Sequence, residues 1–242
     1  MIDVHIHVGN FKNLYFSPKK VAYAMKRLKV KYYYFSSTST GNIPFRDVRR
    51  EIEDLVFFSE GRAIPFLWVS PEMLRYSQDL KRYFYRDFAG IKIHGTQGWK
   101  PYGKNIRRVL SIARDRNLPV MLHTGGYKNY DAGAFMNLCL EFDDVKIILA
   151  HGRPIDQAVE VMKECPNVWA DTAFMPIPDI LKLKKLGLVS HVLWGTDLPV
   201  MRYFYKIPVR EYYERRIKEV LKILGYGDFE KITRENFNLF GF

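Results

Sequence analysis

The chain has 242 residues, 48% of them hydrophobic, which suits one domain (1–242) with a large core and is long enough for an α/β barrel. Its formal net charge of +12 admits an anionic substrate, but the Lys and Arg are spread over nearly every segment rather than held in one block, so no nucleic-acid partner is expected. Two cysteines without C-x-x-C spacing exclude a disulfide framework, no run is apolar enough to span a bilayer, and a signal peptide is not expected where the first strand starts at residue 2; the expected setting is cytoplasmic, with no membrane partner.

The chain opens on Ile2-Asp3-Val4-His5-Ile6-His7-Val8-Gly9. In a strand, alternate side chains share a face, so Asp3, His5 and His7 lie opposite Ile2, Val4, Ile6 and Val8. Two adjacent neutral imidazoles inside a protein need their lone pairs met by a cation or by donors. Taken alone the stretch fits a metal site or a solvated pair of histidines near a terminus.

Ser17-Pro18 then offers an N-cap with proline at the first helical position, and Val21, Ala24, Met25 and Leu28 recur at helical spacing to Lys29. Val30 to Phe35 reads as a strand and Ser36 to Asn42 as a polar loop. A helix over 44–60, a strand over 63–69 and a helix from Ser70-Pro71 to about Arg86 repeat the pattern. Strands follow at 90–94, 118–123, 145–151, 168–171 and 191–197, with helices at 104–116, 134–142, 155–163 and 179–186, the last ending at Gly187. A long amphipathic helix carries Tyr213, Ile217, Val220, Leu221 and Leu224 on one stripe, with Gly225 after it and a short helix at the end. Eight strand–helix alternations imply a parallel sheet closed into a (β/α)8 TIM barrel, and no G-x-G-x-x-G supports a dinucleotide-binding sheet.

Active sites of such barrels lie at the C-terminal ends of the strands. His7, His94, His123 and His151 close the first, fourth, fifth and sixth strands, Asp197 follows the apolar run of the eighth, and only His191 starts a strand. Lys92 and His94 share a face of the fourth strand, away from Ile91 and Ile93. Thr124-Gly125-Gly126 and Gly152 turn the chain just beyond two of the histidines. As a set these residues point to a metal centre. Trp99, Tyr102, Tyr127, Tyr130, Phe174 and Tyr203 lie on the same loops and are expected to pack them rather than line a pocket.

The series DVHIHVG, GIKIHGTQG, LPVMLHTGG, VKIILAHGR and HVLWGTDLPV resembles the amidohydrolase superfamily of metal-dependent hydrolases, and is most similar to the branch containing aminocarboxymuconate-semialdehyde decarboxylase. KITRENFNLFGF resembles that branch's closing helix, so the resemblance runs from residue 2 to residue 242. It implies a metal held by His5, His7, His123 and Asp197, with His151 behind the ligands or polarising the substrate, and Lys92 and His94 lining the substrate pocket. Histidine and carboxylate suit zinc. One zinc per chain is expected; other branches hold two, bridged by a carboxylated lysine, a place that Lys92 could fill.

The chain departs from the family pattern at Gly152-Arg153-Pro154, where a run of small residues is usual. With Lys92, Lys100, Lys128 and Arg202 on or near the same loops, Arg153 suggests a site for an anion, although solvated loop charges would look the same. The resemblance therefore implies a hydrolase that uses a zinc-activated water, with Asp197 as general base, on a C–N or C–O bond of a small anionic substrate. Non-oxidative decarboxylation is the alternative on the same scaffold. A metal-dependent deoxyribonuclease is a lesser one, because a glutamate ligand expected on its fourth strand is replaced by Lys92 and His94. Assembly as a homodimer stays open.

Overall fold

The computed structural model describes residues 1–76, 88–127 and 129–240. In chain order its elements are β1 (Ile2–Phe11), β2 (Leu14–Phe16), α1 (Pro18–Arg27), β3 (Tyr32–Ser37), α2 (Phe45–Phe58), β4 (Ala63–Trp68), α3 (Pro71–Tyr76), β5 (Gly90–Ile93), α4 (Lys104–Asp115), β6 (Val120–His123), α5 (Met136–Glu141), β7 (Ile147–Ala150), α6 (Ile155–Glu164), β8 (Val168–Asp171), α7 (Ile177–Lys185), β9 (Val192–Leu193), α8 (Met201–Tyr205), α9 (Val209–Leu224) and α10 (Tyr226–Thr233). The helix expected from Ser70-Pro71 is present as α3, and its continuation to Arg86 lies outside the described residues, as does Lys128.

Two compact units divide these elements: Met1–Pro65 with Asp171–Phe242, and Phe66–Ala170. In the first, β1 is the centre. It pairs in parallel with β3 from Ile2 opposite Tyr32 to Val8 opposite Ser37, with a shift of register between Asp3 and Ile6. Its other edge is met by the segment after β9: the Val4 N–H donates to the Trp194 carbonyl (2.9 Å), the Asp197 N–H to that of His5 (2.8 Å) and the His7 N–H to that of Leu198 (2.7 Å). Paired on both edges, β1 is buried from Asp3 to Gly9. The Asp3 carboxylate strengthens the second edge by accepting from Thr196 Oγ1 (2.7 Å), the Thr196 N–H (3.2 Å) and the His5 N–H (3.1 Å). Burial pushes its pKa up to about 8 against those donors.

Three features of this unit differ from the sequence expectation. β1 runs past Val8 into an antiparallel hairpin with β2, Gly9 opposite Phe16 and Phe11 opposite Leu14. A three-residue second strand is too short to show alternation, so the pattern does not predict it. Ser36 and Ser37 extend β3 rather than starting a loop, because Glu51 of α2 accepts from Ser37 Oγ (2.7 Å) and Ser39 Oγ (2.9 Å) and so satisfies hydroxyls that polarity alone assigns to solvent. The eighth parallel strand is regular only over Val192–Leu193, since Gly195 and the left-handed Asp197 (φ 57°) interrupt it.

Helix starts follow the prolines. Pro18 occupies the first turn of α1, although the Ser17 side chain makes no cap bond, and α1 buries Val21, Ala22 and Met25. The α7 helix ends as expected, with Gly187 left-handed (φ 72°) one residue beyond its cap. On α9 the buried face is Tyr212, Tyr213, Arg216, Val220 and Leu224; Ile217 and Leu221 are half-buried, and an arginine takes the central place.

The second unit carries β5, β6 and β7, the end of β4 and most of β8, paired in parallel from Phe66 opposite Gly90 to Leu149 opposite Ala170. A Cβ at Gly90 would meet the Phe66 ring at 2.6–2.8 Å, so the glycine sets how closely these strands approach. Ile91, Ile93, Val120, Leu122, Ile147 and Leu149 are buried along the strands, and Ile106, Val109, Leu110 and Ala113 along α4. Each fully buried aliphatic side chain contributes on the order of 1.5–3 kcal/mol. The helix expected over 134–142 begins instead as a 3₁₀ turn (Ala132–Phe135) and becomes α-helical only in α5.

The strand order is β2-β1-β3-β4-β5-β6-β7-β8-β9, with the pairings from β1–β3 through β7–β8 all parallel. With helices between successive parallel strands and the segment after β9 bonded back to β1, this is the (β/α)8 barrel fold. No described helix is long and apolar enough to cross a membrane.

Burial of Glu51 has a consequence for stability, because it raises the carboxyl above its ordinary value of 4.5. A raised acid pKa means that the folded chain holds a proton which the unfolded chain has released. The stabilisation is therefore complete below the ordinary value and is lost as pH rises through the folded value. Urea melts from about pH 4 to about pH 8 should show stability falling with pH, and Glu51→Gln should flatten that slope; an unchanged slope in the variant would place its origin elsewhere.

Candidate metal centre

In the first unit two segments bring His5, His7 and Asp197 together. β1 supplies both histidines, buried at 2% and 4% exposure, and the segment after β9 supplies Asp197 at 6%. His7 Nε2 is 3.0 Å from Asp197 Oδ1 and His5 Nε2 is 3.9 Å from it. One ligand atom from each of the three lies within 4.8 Å of the others. The imidazole rings sit edge to face with centroids 5.0 Å apart.

The hydrogen bonds behind these rings decide which nitrogen faces inward. His7 Nδ1 lies 3.1 Å from the carbonyl of Ser36 and 3.2 Å from its Oγ; the carbonyl can only accept and the hydroxyl can turn its hydrogen elsewhere, so with Nδ1 donating to the carbonyl Nε2 carries the lone pair. That lone pair faces Asp197 Oδ1, a buried oxygen with no hydrogen-bond donor among the described residues. Two such atoms 3.0 Å apart in a buried site repel each other unless a metal ion or a proton lies between them. Asp197 is also held in the left-handed region (φ 57°), a conformation that costs a non-glycine residue about 1–3 kcal/mol, and its N–H is fixed on the His5 carbonyl.

His5 Nδ1 is 2.8 Å from Asp171 Oδ2, and Asp171, at the C-terminal end of β8, is wholly buried. The sequence places Asp171 at a strand end, the position that singles out His123 and His151, but an aspartate closing a strand of small and aromatic residues carries no pattern of its own. Gly195 lets the two approach: a Cβ there would stand 3.1 Å from Asp171 Cβ and Cγ and from His5 Cβ.

In the second unit the strand ends carry Lys92, His94, His123, His151 and Arg153. Lys92 in β5 is buried at 1% exposure. His94, just after β5, accepts on Nδ1 from the Thr96 N–H (3.2 Å), which leaves Nε2 as its donor. The His94 ring lies 4.0 Å from that of His123 and 4.9 Å from that of Trp68, and His123 lies 4.9 Å from His151. His123 Nε2 is 3.0 Å from the Gly125 carbonyl, so in this arrangement its lone pair is on Nδ1. His151, like Asp197, is left-handed (φ 73°). The Arg153 N–H donates to Thr124 Oγ1 (2.9 Å), and its Cβ would stand 2.8 Å from a Cβ at Gly125.

Of the loop aromatics, Trp99, Tyr130, Phe174 and Tyr203 pack within the loops, whereas Tyr102 is exposed and Tyr127 lies 5.7 and 5.5 Å from the rings of His94 and His123. Trp99 donates to the Val69 carbonyl and accepts on its own carbonyl from Tyr130. Phe174 meets Phe204 and Tyr205 at 5.4 and 5.7 Å, and Tyr203 meets Phe11 at 5.6 Å. Lys12 lies over the Tyr203 ring at 4.3 Å.

A barrel of this kind with a buried histidine–aspartate cluster at its strand ends has known relatives. The amidohydrolase family model matches residues 2–236, and the chain belongs to the amidohydrolase family. Among solved structures it is similar to a probable 2-pyrone-4,6-dicarboxylic acid hydrolase from Acinetobacter baumannii with citric acid bound (15% identity, covering 100% of this chain and 99% of the other, TM-score 0.68). It is also similar to 4-oxalomesaconate hydratase from Rhodopseudomonas palustris (17%, 99% and 94%, TM-score 0.66) and to a 2,6-dihydroxybenzoate decarboxylase complexed with 2,6-dihydroxybenzoate (13%, 99% and 97%, TM-score 0.59). No curated protein matches the chain.

The close packing at Gly195 should be intolerant of a methyl group. Asp171 and His5 are at most 2% exposed and have no room to retreat, so Gly195→Ala should lower stability by about 1–3 kcal/mol in urea unfolding of the metal-free protein; a neutral result would mean that the pair is loosely packed.

Proposed function

We propose that the protein is a metal-dependent hydrolase that cleaves a C–N or C–O bond of a small anionic substrate. The observation that carries this reading is the buried Asp197 Oδ1, which has no hydrogen-bond donor among the described residues and lies 3.0 Å from His7 Nε2. His5 and His7 through Nε2, and Asp197 through Oδ1, would hold the ion; His123 joins them on the strength of the family resemblance. Imidazole and carboxylate suit zinc, one per chain. When bound, such an ion supplies Lewis acidity and brings the pKa of a coordinated water towards neutrality.

Asp197 is the general base: its second carboxylate oxygen takes the proton of the attacking water and passes it to the departing nitrogen or oxygen. His151, at the end of β7, polarises the substrate carbonyl. Lys92, His94 and Arg153 bind the anion. The His94 Nε2–H is a donor, as an anionic group requires, and arginine pairs with a carboxylate through two parallel bonds. Carboxylate groups in the names of the pyrone dicarboxylic acid hydrolase and the dihydroxybenzoate decarboxylase support the choice of an anion.

Decarboxylation is the second reading, favoured by the similarity to the dihydroxybenzoate decarboxylase and by a buried cation at Lys92 that could face a carboxylate. Release of carbon dioxide rather than uptake of water separates the two.

Protein purified without chelator or histidine tag should contain about one zinc per chain by elemental analysis. Two would give Lys92 the role of a carboxylated bridge, and none after reconstitution would sink the reading. Asp197→Asn should lower kcat by at least about 100-fold with the circular dichroism spectrum unchanged. Arg153→Ala should lower kcat/KM for the anionic substrate by at least about tenfold, mainly through KM; equal kcat/KM in the variant would end the idea of an anion clamp.

A further inference from the structure

Asp171 has no place in the mechanism above, yet it is one of the most fully enclosed carboxylates of the chain, at 0% exposure. Its two oxygens have separate partners. Oδ1 accepts from the Ala173 N–H (2.9 Å) and Oδ2 is 2.8 Å from His5 Nδ1. An aspartate that merely closed the turn after β8 would need the first contact, a local side-chain-to-backbone bond two residues on, but not the second.

The turn that aims Asp171 is pinned from two sides. Thr172 donates its N–H to the Leu193 carbonyl (3.0 Å), and its Oγ1 bonds both to the carbonyl of Gly195 (2.9 Å) and to its N–H (3.1 Å). From beneath, the buried guanidinium of Arg216 on α9 donates to the carbonyls of Thr172 and Met175, which accounts for an arginine in the centre of an apolar helix face. A fork of fixed donors suits two carbonyls of one turn. Gly195, bare of a side chain, leaves His5 and Asp171 in contact.

We propose that Asp171 is a positioning residue for His5: it holds the imidazole as the Nδ1–H tautomer, so that the Nε2 lone pair is directed to the side where Asp197 lies. A carboxylate accepts and cannot donate, so Nδ1 must carry the hydrogen and Nε2 must not. The Ser36 carbonyl does the same for His7. The two metal-facing nitrogens of β1 are thus set by partners from different elements, β3 for one and β8 for the other. The use of that lone pair for a metal rests on the function proposed above; the tautomer does not.

Asp171→Asn tests the inference because the amide is nearly the same shape but has one acceptor oxygen. With that oxygen kept on the Ala173 N–H, the amide NH2 faces His5 Nδ1 and reverses the tautomer, placing a hydrogen on Nε2. Two readouts follow in metal-free protein above about pH 8, where imidazoles are neutral. Imidazole ¹⁵N shifts, with His5 assigned by its loss in His5→Gln, should report Nδ1–H in the parent chain and Nε2–H in Asp171→Asn. The Zn²⁺ dissociation constant, by chelator competition, should rise by about 10–100-fold in the variant, while the melting temperature of the metal-free protein stays the same. A His5 that is Nε2–H in the parent chain, or a tautomer and a Zn²⁺ affinity both unchanged in Asp171→Asn, would overturn the proposal. A parent chain that binds no Zn²⁺ would defeat the metal reading instead, and the nitrogen shifts would still decide the role of Asp171.

Discussion

The first unit is organised by the need to satisfy the polar groups of a strand that is buried on both faces. β1 carries Asp3, His5 and His7 into the interior, where each unmet hydrogen-bonding atom costs on the order of 1–3 kcal/mol. Each partner comes from a different place in the chain: Thr196 for Asp3, Asp171 for His5 and the Ser36 carbonyl for His7. The Nε2 atoms of His5 and His7 lie 3.9 and 3.0 Å from one oxygen of Asp197. The architecture of the unit can thus be read as the set of groups that brings these three side chains together.

The second unit solves a related problem differently. His94, His123 and His151 lie in a row, the first pair of rings tilted and the second edge to face, and backbone groups fix the hydrogens of two of them: the Thr96 N–H meets His94, and the Gly125 carbonyl meets His123. The first arrangement leaves a donor facing outward, the second an acceptor. Relatives at 13–17% identity that share the fold are named for hydrolysis, hydration and decarboxylation. At such distances the likeness is one of frame, and function has to be argued from the residues of each site. In this chain the residues after the strands include Arg153, whose N–H is held by Thr124 Oγ1.

Much of the frame was legible because it is periodic. Strand–helix alternation and proline at helix starts placed most elements within a few residues, and histidines at successive strand ends marked one end of the barrel. What was not legible depended on distant partners. Ser37 and Ser39 look like loop residues until Glu51 reaches them from α2. Arg216 breaks an apolar stripe for the sake of two carbonyls some forty residues earlier. Asp171 stood in the predicted strand, but a lone carboxylate shows its meaning only beside the ring it faces. The β1–β2 hairpin was hidden by its length, and the early end of β9 by backbone angles that sequence does not display.

The return of the segment after β9 to β1 also bears on how the protein comes into being. Asp3 and Thr196, which share two hydrogen bonds, are 193 positions apart. During synthesis one edge of the first strand therefore stays unpaired until four-fifths of the chain has emerged, and it is an edge rich in β-branched residues, the kind that pairs readily with the wrong neighbour. Contacts of such long range are slow to form. Asp3, His5 and His7 lower that hazard, since a strand with a polar side chain at every second position is a poor template for a dry stack of sheets. The polar face that carries His5 and His7 thus also makes the first strand a poor template for wrong pairing while it waits for its last.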